Sequence, residues 1–254
     1  MINKIYASCG CFIGNGRGNN EDNFYFDSKH LPLKNAGLKE PIVFEGDTST
    51  DVLFSVFDGM GGESAGEEAS LLAAKAFGSE FAETRELALS GRELLLRACE
   101  RAHTDVRGLA LSRQMSTGTT VAALYISRDT AVACNVGDSK VFRIRGGQML
   151  MISEDHTDER IIRAMGLNKK PVLLQYIGMK NNEITLDPYF TKGEIQGGDI
   201  YLLCSDGVSD VVDAEELFSI ATSFEPKLAA SRILARVNEL NGADNATVII
   251  IRIV

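Results

Sequence analysis

Short apolar runs broken by polar or glycine-rich turns alternate along this chain with amphipathic stretches, and their order predicts its elements. Alternating or apolar runs at about 4–11, 23–28 and 51–57 predict three strands. Between the last two, Lys29 to Thr50 carries two Pro and two Gly and predicts a loop or an irregular hairpin. From Glu63 to Glu83, Ala65, Ala69, Leu72, Ala73, Ala76 and Phe77 recur at three- and four-residue spacing, the period of a helix. Ser90-Gly-Arg-Glu93 has the form of a capping box and opens a second helix that runs to about Ser112. Strands follow at about 119–126, 130–137 and 140–145, with Gly146-Gly147 as a hairpin turn. A helix near 157–165 leads into an irregular stretch, and strands return near 184–190 and 199–204. Asp213 to Glu216 caps a helix to about Thr222, another helix spans Pro226 to Leu240, and a strand from Ala246 to Val254 closes the chain. Strands in blocks, with helices inserted in pairs, predict an α+β layered fold rather than a doubly wound parallel sheet.

Four aspartates stand at the ends of the apolar runs: Asp58 in FSVFDGMGG, Asp138 in AVACNVGDSK, Asp206 in IYLLCSDGVSD and Asp244 in NGADNATVIII. A carboxylate at the end of a buried strand is costly unless something pairs with it. Four of them at equivalent places suggest one oxygen-lined pocket for a hard divalent cation, Mg²⁺ or Mn²⁺ rather than Zn²⁺. Arg17, Glu21 and Asp22, in RGNNED at the start of the second strand, add a guanidinium and two carboxylates. Asp58-Gly59-Met60-Gly61-Gly62 turns sharply off a buried strand, where glycines let the backbone approach a ligand and offer the Gly59 carbonyl as a neutral donor.

The bulk numbers narrow the setting. At 254 residues with 44% hydrophobic and 24% charged positions, the chain predicts one globular domain over 1–254, with no linker or repeat. A net charge of −9 argues against nucleic acid or an anionic membrane as partner. Five cysteines, an odd number in mostly apolar surroundings, fit a reduced, cytoplasmic setting better than a disulfide framework. No run is long and apolar enough to span a membrane.

Read in order, RGNNED, FDGMGG, STGTT (Ser116 to Thr120), NVGDSK, EDHT, SDGVSD and DNATV resemble the metal-dependent protein phosphatase family (type 2C), with bacterial members the nearer match. That resemblance implies a four-layer α-β-β-α fold. A central antiparallel β-sandwich would be flanked by pairs of antiparallel helices, with a two-metal cleft at one end. It implies a serine/threonine phosphatase acting on phosphorylated proteins, the substrates of a serine/threonine kinase, and a monomer is expected. By position, Asp58 resembles the carboxylate that bridges two ions, with the Gly59 carbonyl on one of them. Asp206 and Asp244 resemble ligands of the other, and Glu21 and Asp22 match acids that bind directly or through water. Asp138 resembles a ligand of a third, weaker site shared with Asp206, and Arg17 the group that grips the substrate phosphate. Two cations about 3.5–4 Å apart can clamp an in-line displacement and acidify a water, so no Ser or Cys nucleophile is needed.

Departures from the pattern are specific. Met60 stands where many eukaryotic members carry a candidate general acid, His. Lys140 replaces the usual Arg and loses its bidentate fork. The stretch 157–180 corresponds to a variable flap beside the cleft, and from Arg163 to Lys180 it holds four bases and no acid. This hints at a rim for acidic or phosphorylated substrate, or at an ordinary solvated loop. His103 and His30 are expected at the surface, and His156, in EDHT, near the cleft. The alternative function is a pseudophosphatase that senses or scaffolds.

Overall fold

The computed structural model describes residues 2–61, 65–84, 87, 89–180 and 185–254. Two antiparallel sheets face each other. The first has the order β3 (Ile42–Asp47), β1 (Lys4–Phe12), β12 (Ala246–Ile253), β11 (Ile200–Cys204), β8 (Lys140–Arg145), β9 (Gln148–Met151). The second runs β10 (Tyr189–Glu194), β7 (Thr130–Val136), β6 (Val121–Ser127), β4 (Val52–Met60), β2 (Asp22–Phe26), with the two-residue β5 (Gly118–Thr119) paired to the end of β4.

Three apolar layers explain why the strands read as continuous hydrophobic runs. Ile5, Phe24, Phe54, Leu124, Leu203 and Ile251 meet between the sheets. Phe57, Leu53, Val121 and Cys134 point the other way, against Ala73, Phe77, Leu95 and Cys99 of α1 (Gly66–Glu83) and α2 (Gly91–Arg113). Leu202, Val248 and Ile250 are covered by Leu217 of α5 (Ala214–Ser223) and by Ala229, Ile233 and Val237 of α6 (Pro226–Glu239). A strand buried on both faces keeps apolar residues at odd and even positions alike, as ATVIIIRI does in β12. The result is the expected α-β-β-α layering.

Local signals set the helix ends. Ser90 and Glu93 form the predicted reciprocal cap, with Glu93 N donating to Ser90 Oγ at 3.3 Å and Ser90 N to Glu93 Oε2 at 2.9 Å. Asp213 caps α5 through the Glu216 N–H at 2.8 Å. The predicted start of the first helix at Glu63 lies outside the described residues, as does the start of the strand expected near 184.

Two expectations change. The stretch 29–50 contains a real strand, β3, which its Pro and Gly content hid. It pairs along one side only, with β1, so Pro41 just before it interrupts no ladder, and Ile42 and Phe44 turn to the core. The strand expected at 184–190 is β10 at Tyr189–Glu194, because Pro188 has no N–H to give and pairing with β7 begins after it. Short helices α3 (Glu159–Ala164) and α4 (Asp206–Ser209) complete the chain.

Phe77 stacks edge-on against Phe57 at 5.1 Å with no exposed surface, whereas Leu111 on α2 is 61% exposed. Phe77→Ala is expected to lower unfolding free energy by about 3–5 kcal/mol, and Leu111→Ala by under about 0.5 kcal/mol. Urea titration of the two variants checks this.

Candidate active site

Strand register gathers the predicted acids at one end of the sandwich. In the second sheet Asp22 opens β2 directly opposite Asp58 at the end of β4, and Asp138 follows the end of β7. In the first sheet, Asp206 follows the end of β11 and Asp244 precedes β12, whose Val248 lies opposite Cys204. Every pairing is antiparallel, so these starts and ends fall on the same side. Arg17, Glu21, Asp58, Gly59, Asp138, Asp206 and Asp244 line one cleft of about 480 Å³. Asp22 lies beneath it, 1% exposed. The opposite wall is flap: Lys170, Pro171, Val172 and Leu173.

The backbone that carries these acids is fixed by polar side chains whose roles the sequence reading did not assign. Asn245 accepts the Glu21 N–H at 2.8 Å and donates to the carbonyls of Ile13 at 2.7 Å and Asn19 at 3.1 Å, clamping the Arg17 loop to the Asp244 loop. Thr119 Oγ1 donates to the Asp58 carbonyl at 2.9 Å, and Thr120 Oγ1 accepts the Asp58 N–H at 3.0 Å. Thr117 Oγ1 reaches the carbonyls of Met60 and Ala65 at 3.2 and 2.9 Å. The signal was present: STGTT and DNATV place hydroxyls and an amide inside buried runs, where each needs a partner. Glycine is required at Gly59, where a Cβ would stand 2.2 Å from the Gly66 carbonyl oxygen, and at Gly207, where it would stand 1.9 Å from that of Asn245.

The electrostatics are strained in one direction. Burial pushes the Asp22 carboxyl up to about 7, helped by the charges of Asp206 and Asp244 and against hydrogen bonds from Thr247 and Ser205. Asp138 is pushed up to about 6 by burial and then by Asp206. Asp58 is raised by burial and by the charges of Asp22 and Asp206. Burial also raises Glu21, although Arg17 opposes it. Arg17 sits at the mouth with Nη2 2.8 Å from Asp244 Oδ2 and Nη1 4.0 Å from Glu21 Oε2.

The donor set fits a hard cation. It is all oxygen, and among the described residues no His or thiol lines the cleft wall. Asp22 Oδ2 accepts from Ser205 Oγ at 2.8 Å and Thr247 Oγ1 at 2.7 Å, while its Oδ1 is buried with no hydrogen-bond partner. Among the described residues no three acids already form a closed metal cage, and Asp244 is turned toward Arg17.

Other candidates fall away from the cleft. Cys204 is buried and its thiol pushed up to about 12, and Ser205 is engaged with Asp22, so neither offers a nucleophile. Cys9 and Cys11 are buried, and Cys11 Sγ receives Asn20 Nδ2 and Thr247 Oγ1. His103, expected at the surface, is buried: α2 packs there against the flap's end, and His103 Nδ1 accepts the Gly178 N–H at 3.2 Å. His156 lies behind the Asp138 turn rather than on the cleft wall.

A family model described as Protein phosphatase 2C matches residues 42–241. The serine/threonine phosphatase stp of Listeria innocua is 28% identical over 94% of this chain and 92% of its own length. The serine/threonine protein phosphatase PstP of Mycobacterium tuberculosis is 28% identical over 80% of this chain, which spans 40% of that longer protein. The crystal structure of the PstP catalytic domain in complex with two manganese ions superposes with a TM-score of 0.77 at 25% identity, covering all of both chains.

The raised carboxyls give metal-free protein a defined pH dependence. An acid whose folded pKa lies above its unfolded value of about 4 takes up protons on folding, so stability is full below that value and falls as pH rises. The loss runs through the folded values near 6 for Asp138 and 7 for Asp22. Chelator-treated protein is therefore expected to melt at a higher temperature at pH 5 than at pH 8, and Mn²⁺ to raise the melting temperature more at pH 8. A chelated protein that gains stability across that range contradicts the assignment.

Proposed function

Because the chain belongs to the protein phosphatase 2C family, we propose that it hydrolyses phosphoserine and phosphothreonine in proteins, using two Mg²⁺ or Mn²⁺ ions held in the acid-lined cleft. The observation that carries this reading is one cleft end where five acids and a buried sixth converge around a single guanidinium, Arg17. The relatives named for serine/threonine phosphatase activity and the two manganese ions in PstP support the substrate class and the metal.

Asp58 and the Gly59 carbonyl would hold one ion, and Asp58, Asp206 and Asp244 the other. Glu21 and Asp22 would act directly or through water, and Asp138 with Asp206 would serve a third ion. When bound, such ions supply Lewis-acid polarisation of the phosphoryl group and a water acidic enough to attack near neutral pH. The protein's own part is positional. Thr119, Thr120 and Asn245 hold the backbone of Asp58 and Glu21 in place, so side chains and not the main chain would turn to meet the ions. Arg17 is half exposed at the mouth and can offer paired N–H donors to a phosphoryl oxygen, which Lys could not imitate. A sensor that had lost catalysis would be expected to have lost an acid, and this chain has kept all of them. We further read 1–254 as one domain, acting as a monomer in the cytoplasm on the products of a serine/threonine kinase; among the described residues no helix is long and apolar enough to cross a membrane.

Hydrolysis of p-nitrophenyl phosphate is expected to require added Mn²⁺ or Mg²⁺ and to fall on the order of 100-fold or more in Asp58→Ala. Equal rates with metal, with chelator and in the variant would refute the reading. On phosphopeptides, Arg17→Lys is expected to raise KM on the order of tenfold, more than it lowers kcat. Steady-state kinetics on a phosphoserine and phosphothreonine panel measures both and separates these substrates from nucleotides.

A further inference from the structure

Behind the cleft, residues 154–158 form a strap with an unusual density of ties to the turn that carries Asp138. Glu154 donates its N–H to Asn135 Oδ1 at 3.0 Å and accepts Asn135 Nδ2 on its carbonyl at 2.6 Å. Asp155 pairs at 2.5 Å with Lys140 Nζ, which also donates to the Asp138 carbonyl at 3.2 Å. His156 donates its backbone N–H to the Gly137 carbonyl at 3.0 Å, and its ring Nδ1 accepts the Gly137 N–H at 3.2 Å. An Nδ1 that accepts from an N–H carries no proton, so the ring is neutral with its proton on Nε2. On the far side the same strap holds the flap. The His156 carbonyl accepts the Leu174 N–H at 2.7 Å, and Asp158 Oδ1 accepts that of Val172 at 2.8 Å.

We infer that His156 is a positioning residue for Asp138: its ring fixes the Gly137 N–H, and with it the direction in which the next side chain enters the cleft. The inference rests on the proposed metal role of Asp138. His156 touches neither the cleft nor any reacting group. Its effect passes through one peptide unit, in the way outer-shell partners of a metal ligand set that ligand's direction, and their loss typically weakens metal binding by about 10- to 100-fold. A strap that only stabilised the fold would lower the melting temperature and leave the separate metal-binding steps alone.

Mn²⁺ titration followed by electron paramagnetic resonance, on wild type, Asp138→Asn, His156→Ala and His156→Asn, separates these cases when melting temperatures are measured alongside. Asp138→Asn and His156→Ala are each expected to weaken the weakest Mn²⁺ step by about 10- to 100-fold while leaving tighter steps within about twofold. His156→Asn, whose Oδ1 can accept from Gly137 where Nδ1 did, is expected to restore that step. Wild-type protein that binds no Mn²⁺ would remove the metal reading itself. A loss in Asp138→Asn with none in His156→Ala would overturn this inference alone. If His156→Ala does not fold, His156→Phe, which keeps the ring and removes the acceptor for the Gly137 N–H, is read in its place, and an unchanged weakest step there overturns the inference.

Discussion

Like charge held together is the constraint on which the rest of this structure depends. Two carboxylates 4 Å apart repel by about 4 kcal/mol at an effective dielectric near 20, and water normally keeps them apart. Here Asp58 and Asp206 line the same cleft, Asp22 lies buried across a strand pair from Asp58, and Asp138, Glu21 and Asp244 stand around them. One guanidinium offsets part of that charge. The remainder is met by protonation or by cations; burial first, and the neighbouring charges after it, raise Asp22 and Asp138 toward neutrality. Protons and cations therefore compete for the same oxygens.

Holding such a cluster requires a frame that does not yield. Three apolar layers stiffen the two sheets, and antiparallel pairing delivers the ends of β4, β7 and β11 and the starts of β2 and β12 to one side. Polar groups then fix the turns. Asn245 closes the Arg17 loop on the Asp244 loop, Thr119 and Thr120 bracket Asp58, and Ser205 and Thr247 orient one oxygen of Asp22 and leave the other without a partner.

How much of this was legible in the sequence follows from where each signal lies. Strands buried on both faces, such as β12, β11 and β4, announce themselves as apolar runs, and the acids at their ends were found because a strand end is readable. β3 was not, because an edge strand preceded by Pro41 and containing Gly46 has the composition of a loop and gains its order only by pairing with β1. His103 was placed at the surface because its helix reads as amphipathic; the Gly178 N–H that buries it comes from 75 residues away. The same holds at the site. Which residues bear charge was visible, whereas the roles of Asn245, Ser205 and Thr119 depend on pairs of loops meeting in space.

Lys140 shows how a departure from a family pattern can be resolved by geometry. An Arg there would present a planar fork suited to one carboxylate, but the lysine ammonium donates in several directions from one atom. Its Nζ lies between the Asp155 carboxylate at 2.5 Å and the Asp138 carbonyl at 3.2 Å, so one positive charge joins the strap to the turn. Burial works against that charge, but Asp155 together with its other neighbours raises the ammonium above its ordinary range, so it stays protonated. The substitution loses bidentate geometry and keeps the connection. What the fold demands at this position is a cation that spans two oxygens on different segments, and lysine meets that demand with a different shape.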